Sequence, residues 1–394
     1  MINDSENGYC ENVMTNTFSV LTSLDDLPDN SKLALFGAGE TGQEFVRKLR
    51  SDRGDVEVVC FFDSYREGVW GNIPIKKSSE IEKLDSNVEL VITSVFWNEI
   101  ADIVENTYSR KYNILSNDII NQCSHLSSYG PFYFENNNKN DLEKRLSVIN
   151  DSFMTDKDRE IIRKIFDLRV YKKEKEFFSF ANKITRDQKS TFQTKDKYSE
   201  YLNLNEVRYC IEGGVFDGED TYRLMETLKK SKSFKQLYAF DPFLNSLYQG
   251  DYYDKIDSVL CDFHENVLWD REEKIYFQVD KENPANSTVL RESELGESNA
   301  SIKAHSAITI DSFLKSKNLP VDLIKLDVEG SEMNVLNGAK ASISKWRPKM
   351  AVSLYHRREH LLEIAEFLLS IHKDYKFNIS INNPTFVDMV LYAK

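Results

Sequence analysis

Short apolar runs alternate with longer stretches of helical periodicity along most of the chain. In the N-terminal part, Leu33–Phe36, Val56–Phe62 and Val88–Val95 are such runs, separated by polar or amphipathic residues. A second series begins near Val207, with short predicted strands at 208–211, 237–240, 323–326 and 350–354. Strands that alternate with helices form parallel sheets, because each helix returns the chain to the same edge. We therefore predict an α/β protein with two Rossmann-like domains.

The residues between and after these series follow other patterns. Residues 141–200 lack glycine and proline and carry apolar side chains at helical spacing, which predicts amphipathic helices joining the domains. Phe377–Ile381 and Phe386–Tyr392 predict an antiparallel pair at the edge of the last sheet. The predicted division is a polar segment at 1–30, a nucleotide-binding-type domain at 31–130, a helical linker at 131–200 and a second domain at 201–394. The linker helices could also form the surface of a homo-oligomer.

Composition narrows the choice of partners. Among 394 residues, 64 Asp and Glu outnumber 51 Lys and Arg, and the net charge is -13. Such a chain is repelled by phosphate backbones, so we expect neither nucleic acid nor a membrane as its main partner. No apolar run approaches the roughly 20 residues of a membrane-spanning helix, and the polar N-terminus does not look like a secretory signal. The five cysteines form no C-x-x-C pair, which favours reduced thiols and a cytoplasmic location.

The first glycine-rich turn follows the strand at 33–36. Gly37, Gly39 and Gly42 open a helix, and Asp63 ends the next strand. This pattern is typical of dinucleotide sites, where the helix N-terminus binds pyrophosphate and the acid binds ribose. It predicts a second nucleotide site. The alternative is a turn kept for packing alone.

The second glycine-rich turn has a different character. Gly214 and Gly218 follow Glu212, and Asp241 ends the next strand. An acid at the strand end would repel a pyrophosphate but suits a positive group, such as the amino group of S-adenosylmethionine. Asp241 is placed to bind a ribose diol. An ordinary tight turn is the alternative.

Carboxylates concentrate after the strand at 323–326, where Asp327, Glu329 and Glu332 follow one another closely. Their mutual repulsion must be balanced by a ligand, a cation or partner side chains. Glu332 could equally be an acid in the first turn of a helix. His356 follows the next strand and is our candidate general base, with an orienting role as the alternative. Mg²⁺ is conceivable here but not favoured, because no separate second set of ligands is visible. His360 is assigned no role.

These motifs resemble the FkbM-type family of S-adenosylmethionine-dependent methyltransferases. The resemblance covers about residues 205–394 and is carried by the runs Ile324–Glu332, Leu336–Ala339, Ser353–His356, Thr309–Phe313 and Tyr238–Pro242, with Leu268–Asp270 near the adenine. It implies a class I methyltransferase fold and S-adenosylmethionine as cofactor. The donor pocket it implies consists of Glu212, Gly214, Gly218, Asp241 and Asp270, and the acceptor side of Asp327, Glu329 and His356.

The N-terminal half resembles, more weakly, the small Rossmann-like domain found in front of sugar-nucleotide modifying enzymes. Gly37–Gly39, Phe61–Asp63 and Gly71–Pro74 carry that resemblance. The favoured function is O-methylation of a small molecule, a sugar or glycan precursor. Two alternatives use the N-terminal domain: an NAD-dependent oxidoreductase, although no Tyr-x-x-x-Lys occurs in residues 90–130, or a non-catalytic protein that binds a nucleotide or nucleotide sugar.

Overall fold

The structure is a computed structural model that describes residues 18–94, 97–108, 110–123, 132–135, 138–192, 197–278, 288–290, 302–382 and 388–394. The chain separates into two compact units, Met1–Ser124 and His125–Lys394. Each unit is built around its own α/β sheet, as the alternation of apolar runs predicts.

The first unit contains a seven-stranded sheet in the order β1-β7-β6-β2-β3-β5-β4. Its strands and helices are β1 (Phe18–Leu21), β2 (Lys32–Phe36), α1 (Glu40–Asp52), β3 (Glu57–Asp63), β4 (Gly68–Trp70), β5 (Ile73–Lys77), β6 (Val88–Ile92), α2 (Trp97–Thr107), β7 (Tyr112–Leu115) and α3 (Asn117–Gln122). The pairings are parallel except between β4 and β5.

Part of the N-terminal segment belongs to this sheet. Residues 18–21, which the sequence analysis groups with the polar segment 1–30, form β1 and pair in parallel with β7. Strand β1 is short and only Leu21 in it is buried. Because its place depends on a partner strand some ninety positions later in the printed sequence, local pattern alone does not reveal it.

The second unit contains eleven described strands and nine described helices. In chain order they are α4 (Lys139–Asn150), α5 (Asp156–Tyr171), α6 (Glu174–Phe192), β8 (Tyr209–Gly213), α7 (Glu219–Leu228), β9 (Gln236–Phe240), α8 (Asn245–Gln249), β10 (Cys261–His264), β11 (Val267–Leu268), β12 (Lys274–Gln278), β13 (Thr288–Leu290), β14 (Ile302–Ile308), α9 (Ile310–Lys317), β15 (Leu323–Leu326), α10 (Glu332–Asn337), α11 (Lys340–Trp346), β16 (Lys349–Ser353), α12 (His360–Ile371), β17 (Phe377–Ile381) and β18 (Met389–Ala393).

The main sheet of this unit has the order β10-β9-β8-β15-β16-β18-β17. Strands β10, β9, β8, β15 and β16 are parallel, and β17 and β18 form the antiparallel pair expected at the edge. Every residue of β15 is buried and all but Lys325 are apolar, as expected where helices cover both faces of a parallel sheet. Strands β11, β14, β12 and β13 form a separate four-stranded sheet that the sequence analysis does not anticipate.

The helices at 139–192 pack against the second unit's sheet and helices. Helix α5 begins at a capping box in which Thr155 and Asp158 satisfy each other's backbone N–H groups. Asp158 also accepts hydrogen bonds from the Asn378 side chain and from Ile379 N, so the same acid joins α5 to β17. The predicted role of these helices in a homo-oligomer stays a prediction.

Two further features of the described residues concern the length of the helices and the state of the cysteines. None of the described helices is long and apolar enough to cross a membrane. Among the described residues, Cys60, Cys123, Cys210 and Cys261 are buried free thiols, and a buried thiol behaves as a small apolar side chain.

Candidate active site

The carboxyl ends of four parallel strands meet at one edge of the second sheet. Strands β9, β8, β15 and β16 lie side by side, so their ends bring together residues that are far apart in sequence. Glu212 is the second-to-last residue of β8, Asp241 and Asp327 directly follow β9 and β15, and His356 lies three residues after β16. This is the edge at which open α/β sheets bind ligands.

The glycine-rich turn after β8 touches the strand that carries Asp327. Gly214 has φ +85°, and a Cβ there would lie 1.8 Å from the Asp327 carbonyl oxygen. No residue other than glycine fits this combination of backbone angle and close approach. The turn and the first acid of the carboxylate group are therefore in direct contact.

Asp241 shapes this turn through backbone hydrogen bonds. Its Oδ2 accepts from Val215 N at 2.9 Å and from Phe216 N at 3.1 Å, while Oδ1 accepts from Phe243 N at 2.7 Å. An ionised carboxylate offers about four acceptor positions, so about one stays open for a ribose hydroxyl. The contact with ribose stays a prediction.

The first unit repeats this construction around Asp63. Its Oδ2 accepts from Ala38 N at 2.9 Å, and its Oδ1 accepts from Tyr65 N and Arg66 N. A Cβ on Gly42 would lie 2.1 Å from the Gly37 carbonyl oxygen, so helix α1 packs tightly on the turn. The two turns are thus locally alike, although their residues differ. Nucleotide binding through Gly37, Gly39, Gly42 and Asp63 stays a prediction.

Glu212 is paired with a residue of the chain itself. The Lys325 ammonium lies 2.7 Å from Glu212 Oε1 and donates to the Gly214 carbonyl at 3.3 Å. The Glu212 side chain is fully buried and that of Lys325 is 4% exposed. Burial raises the pKa of Glu212, and the Lys325 charge partly offsets this effect. A direct contact between Glu212 and the amino group of a donor stays a prediction, since Lys325 already supplies a cation here.

His356 lies in the centre of the carboxylate group. Its Nδ1 is 2.7 Å from Glu332 Oε1, and its Nε2 is 3.3 Å from Glu329 Oε2 and 3.6 Å from Asp327 Oδ1. The side chains of His356 and Glu332 are fully buried, whereas Asp327 and Glu329 are 28% and 42% exposed. The exposed face of the group therefore consists of Asp327 and Glu329.

These contacts set the charge of the group. Burial by itself would lower the pKa of His356, but the Glu332 and Glu329 carboxylates raise it well above the ordinary value. Burial would raise the pKa of Glu332, but His356 holds it well below the ordinary value. Burial raises the pKa of Asp327, partly offset by His356. The carboxylates thus favour the imidazolium form of His356, which has no lone pair with which to accept a proton.

Further side chains fix the two ends of the group. The Tyr355 hydroxyl donates to Asp327 Oδ1 at 3.0 Å. Glu332 Oε2 lies 3.1 Å from His360 Nδ1, and its Oε1 accepts from Val328 N at 3.1 Å. Glu332 is the first residue of α10, as the helix alternative predicts, and it is also the buried anchor of the cluster.

The donor set of this cluster does not fit Mg²⁺. One atom each of Asp327, Glu332 and His356 lies within 4.8 Å of the others. Mg²⁺ prefers about six oxygen ligands, whereas this group includes a histidine whose two ring nitrogens face carboxylates, and the Glu332 oxygens already face two histidines and a backbone N–H. We derive no step that uses a metal ion.

Asp270 follows β11, whose Leu268 side chain approaches Gly213 at the end of β8. Its Oδ1 lies 3.9 Å from Arg271 Nη1, and the backbone beside it packs against Gly338, where a Cβ would be 1.9 Å from the Trp269 carbonyl oxygen. Asp270 is thus placed near the strand ends, and its role in donor binding stays a prediction.

Three side chains that contact the acidic residues at this edge are assigned no role from the sequence: Lys325, His360 and Tyr355. Lys325 carries a signal, because a lysine inside a buried apolar strand requires a partner. His360 and Tyr355 carry none, because their partners Glu332 and Asp327 are reached only through the fold. The loop with Asn286 and Ser287, between Pro284 and Thr288, lies outside the described residues.

Comparison with known proteins agrees with this architecture. Residues 212–379 match the family model of the methyltransferase FkbM domain. The chain is similar in fold to the crystal structure of methyltransferase FkbM from Methylobacillus flagellatus KT, with 16% identity, a TM-score of 0.61, and coverage of 93% of this chain and 90% of that chain. At this identity the likeness is one of fold. No curated protein sequence matches the chain.

The second unit therefore contains a methyltransferase domain. More specifically, residues 212–379 match the model of the FkbM methyltransferase domain, as the motifs from Ile324 to Glu332 predict. The predicted fold class is confirmed as well. The resemblance of the N-terminal half to domains of sugar-nucleotide modifying enzymes stays a prediction.

Proposed function

We propose that the protein is an S-adenosylmethionine-dependent O-methyltransferase whose acceptor is a hydroxyl of a small molecule, a sugar or glycan precursor. The observation that carries the proposal is the direct contact between the glycine-rich turn and the carboxylate group, seen at Gly214 and Asp327. This contact supports a donor cradle at Gly214 beside the acid–histidine cluster, at one edge of the sheet.

The residues of the turn fit a methyl donor. A Cβ on Gly214 or Gly218 would collide with the Asp327 carbonyl or the Leu247 side chain, so the two glycines keep the turn tight at the end of β8. Asp241 and Asp270 would hold the ribose and adenine side, and the acidic edge suits the positive charges of the donor. S-adenosylmethionine would supply an electrophilic methyl group on a sulfonium.

The exposed face of the cluster fits a neutral polyol. Asp327 and Glu329 are the partly exposed acids, and carboxylates accept hydrogen bonds from hydroxyl groups. An acceptor that carries a phosphate or carboxylate beside the reacting oxygen would be repelled by the same acids. Sugars, with several adjacent hydroxyls, match this arrangement.

We assign the proton transfer to Asp327. As the acceptor oxygen bonds to the methyl carbon and the carbon–sulfur bond breaks, the hydroxyl proton passes to the Asp327 carboxylate. Burial raises the pKa of Asp327, and a higher pKa makes its carboxylate a stronger base towards the hydroxyl proton. The His356 imidazolium orients Asp327 and Glu329, and Tyr355 holds the other side of Asp327. This assignment adopts the orienting alternative for His356 in place of the base.

The first test is calorimetric titration with S-adenosylhomocysteine. The chain offers a matched pair of variants, because Asp241 and Asp63 bond their turns in the same way. We expect the wild type and Asp63→Ala to bind and Asp241→Ala to lose binding. Failure of the correctly folded wild type to bind would overturn the proposal. Binding lost in Asp63→Ala and kept in Asp241→Ala would place the donor in the first unit.

The second test concerns the acceptor. The protein is incubated with S-adenosylmethionine and pairs of sugars that differ in one hydroxyl, one amino group or one phosphate, and products are read by mass spectrometry. We expect methylation of neutral sugars at a hydroxyl and none of their phosphates. Methylation of the amino analogue alone would contradict O-methylation.

A second candidate function concerns the first unit. Its turn at Gly37 has the hydrogen-bond pattern of the donor turn, which favours binding of a nucleotide or nucleotide sugar there. Titration with a nucleoside diphosphate sugar and with NADH, in wild type and Gly37→Asp, tests this. NADH binding alone would favour the oxidoreductase alternative, and no binding by either would leave the turn a packing feature.

A further inference from the structure

Arg169 is a fully buried arginine on helix α5, with 0% exposure. It lies outside residues 212–379, the part matched to the methyltransferase family. Its Nη1 donates to the carbonyl oxygens of Arg357 and Arg358, both at 3.1 Å, and its Nη2 donates to that of Leu354 at 3.0 Å. One guanidinium therefore holds three carbonyls of a single loop.

Burying such a charge is costly unless strong partners compensate for it. In the described part of the chain no carboxylate lies in ion-pair contact with Arg169. The three carbonyls and the face of the Phe132 ring, 5.4 Å from the guanidinium carbon, stabilise the cation, and the charge of Glu359 adds to this from beyond ion-pair contact. Burial lowers the pKa of Arg169 to about 10, so it stays charged at neutral pH.

The loop that Arg169 holds, residues 354–358, is the one that carries Tyr355 and His356. Two other contacts limit its position. Leu354 N donates to Met389 O at 2.9 Å, and Arg357 Nε donates to Gly330 O at 2.9 Å, within the acidic loop. With Arg169 on one side and Gly330 on the other, the loop is fixed between α5 and the carboxylates.

We propose that Arg169 is a positioning residue of the methyltransferase site: by holding the carbonyls of Leu354, Arg357 and Arg358, it keeps His356 between Glu332 and Glu329 and Tyr355 on Asp327. A helix outside the family-matched domain thus takes part in shaping the acceptor side. The consequence for turnover rests on the proposed function, whereas the consequence for the geometry of His356 does not.

The test compares Arg169→Lys and Arg169→Met with the control Arg145→Met. Arg145 lies on α4 and makes a bidentate ion pair with Glu366 of α12, so its loss also weakens helix packing but leaves the loop alone. The readout is the protonation of the His356 ring, followed by nuclear magnetic resonance of the six histidines over pH, with His356→Gln to assign the signal.

We expect the His356 ring to stay protonated above neutral pH in the wild type and in Arg145→Met. In Arg169→Met its midpoint should fall by about one pH unit or more, because looser contacts with Glu332 and Glu329 stabilise the cation less. Arg169→Lys keeps the charge but lacks the planar fork, and should show a smaller fall.

A folded Arg169→Met with the wild-type His356 midpoint would overturn the proposal, and so would an equal fall in Arg145→Met. Should Arg169→Met not fold, Arg169→Lys decides, since an unchanged midpoint there is equally contrary. Titration of the same samples with S-adenosylhomocysteine tests the proposed function separately from the role of Arg169. Its failure in the wild type counts against the proposed function, while the His356 midpoints still report on Arg169.

Discussion

The buried pair between Lys325 and Glu212 gives the sharpest quantitative prediction. Replacing Lys325 by methionine keeps most of the side-chain volume and removes the ammonium 2.7 Å from Glu212 Oε1. The Glu212 carboxyl then stays fully buried without its cation. Removing one partner of such a pair costs about 3–5 kcal/mol of unfolding free energy, because an unpaired charge is left inside.

The expected size can be worked out from protonation. At 2.7 Å and an effective dielectric constant of about 20, the two charges attract by about 6 kcal/mol, most of which compensates for burial. The variant can avoid an unpaired charge by protonating Glu212. Holding a carboxyl of ordinary pKa 4.5 neutral at pH 7 costs about 1.4 kcal/mol per pH unit, or about 3 kcal/mol in all. We therefore expect Lys325→Met to lose at most about 3 kcal/mol of unfolding free energy at pH 7.

Protonation of Glu212 also determines how the stability of Lys325→Met changes with pH. In Lys325→Met the folded state holds a proton that the unfolded state releases above pH 4.5, so the stability of the variant falls as pH rises. The difference from the wild type should therefore be small near pH 5 and largest near pH 8. In the double variant Glu212→Gln with Lys325→Met, most of this pH dependence should disappear.

The assay is urea unfolding at several pH values, followed by hydrogen exchange of peptides from β8 and β15, which report on the second unit alone. Lys340→Met, at an exposed lysine of α11, is the matched control and should change stability by less than about 0.5 kcal/mol. A loss below about 1 kcal/mol at pH 7, or a larger loss independent of pH, would show that the pair does not have the role assigned to it.

Three further outcomes are expected. Asp327→Asn should lower kcat by about 10²–10⁴-fold while S-adenosylhomocysteine still binds, since only the proton acceptor is lost; unchanged turnover would exclude Asp327 from that role. In the pH profile, kcat/KM should fall on the acid side as Asp327 takes up a proton. Because burial raises the pKa of Asp327, this fall should occur at a pH above the ordinary pKa of aspartate. Protonation of His356 should not contribute to the fall, because the pKa of His356 lies well above its ordinary value. Phe216 has φ +52° and is 49% exposed, so Phe216→Asn should raise the unfolding free energy of the second unit by about 1 kcal/mol in urea titrations; a lower value would show that the ring contributes more than the backbone strain costs.

Much of the second unit's architecture follows from local pattern. The strand at 323–326 is predicted with the bounds that the structure gives, because three large aliphatic residues among four, with Asp322 and Asp327 on either side, are typical of a short buried strand. The antiparallel pair predicted at the end of the chain is confirmed as β17 and β18. The four-stranded sheet of β11–β14 is missed, since its short strands are selected by their partners rather than by their own sequence.

The sequence by itself determined which residues stand at the strand ends, and therefore that Glu212, Asp241, Asp327 and His356 share one edge. Only the tertiary structure decided what each of them does there. Lys325 neutralises Glu212, backbone N–H groups bind Asp241, and two carboxylates hold His356 as a cation. The physical reason is that a side chain's charge and orientation depend on burial and on neighbours across space, which spacing along the chain does not record.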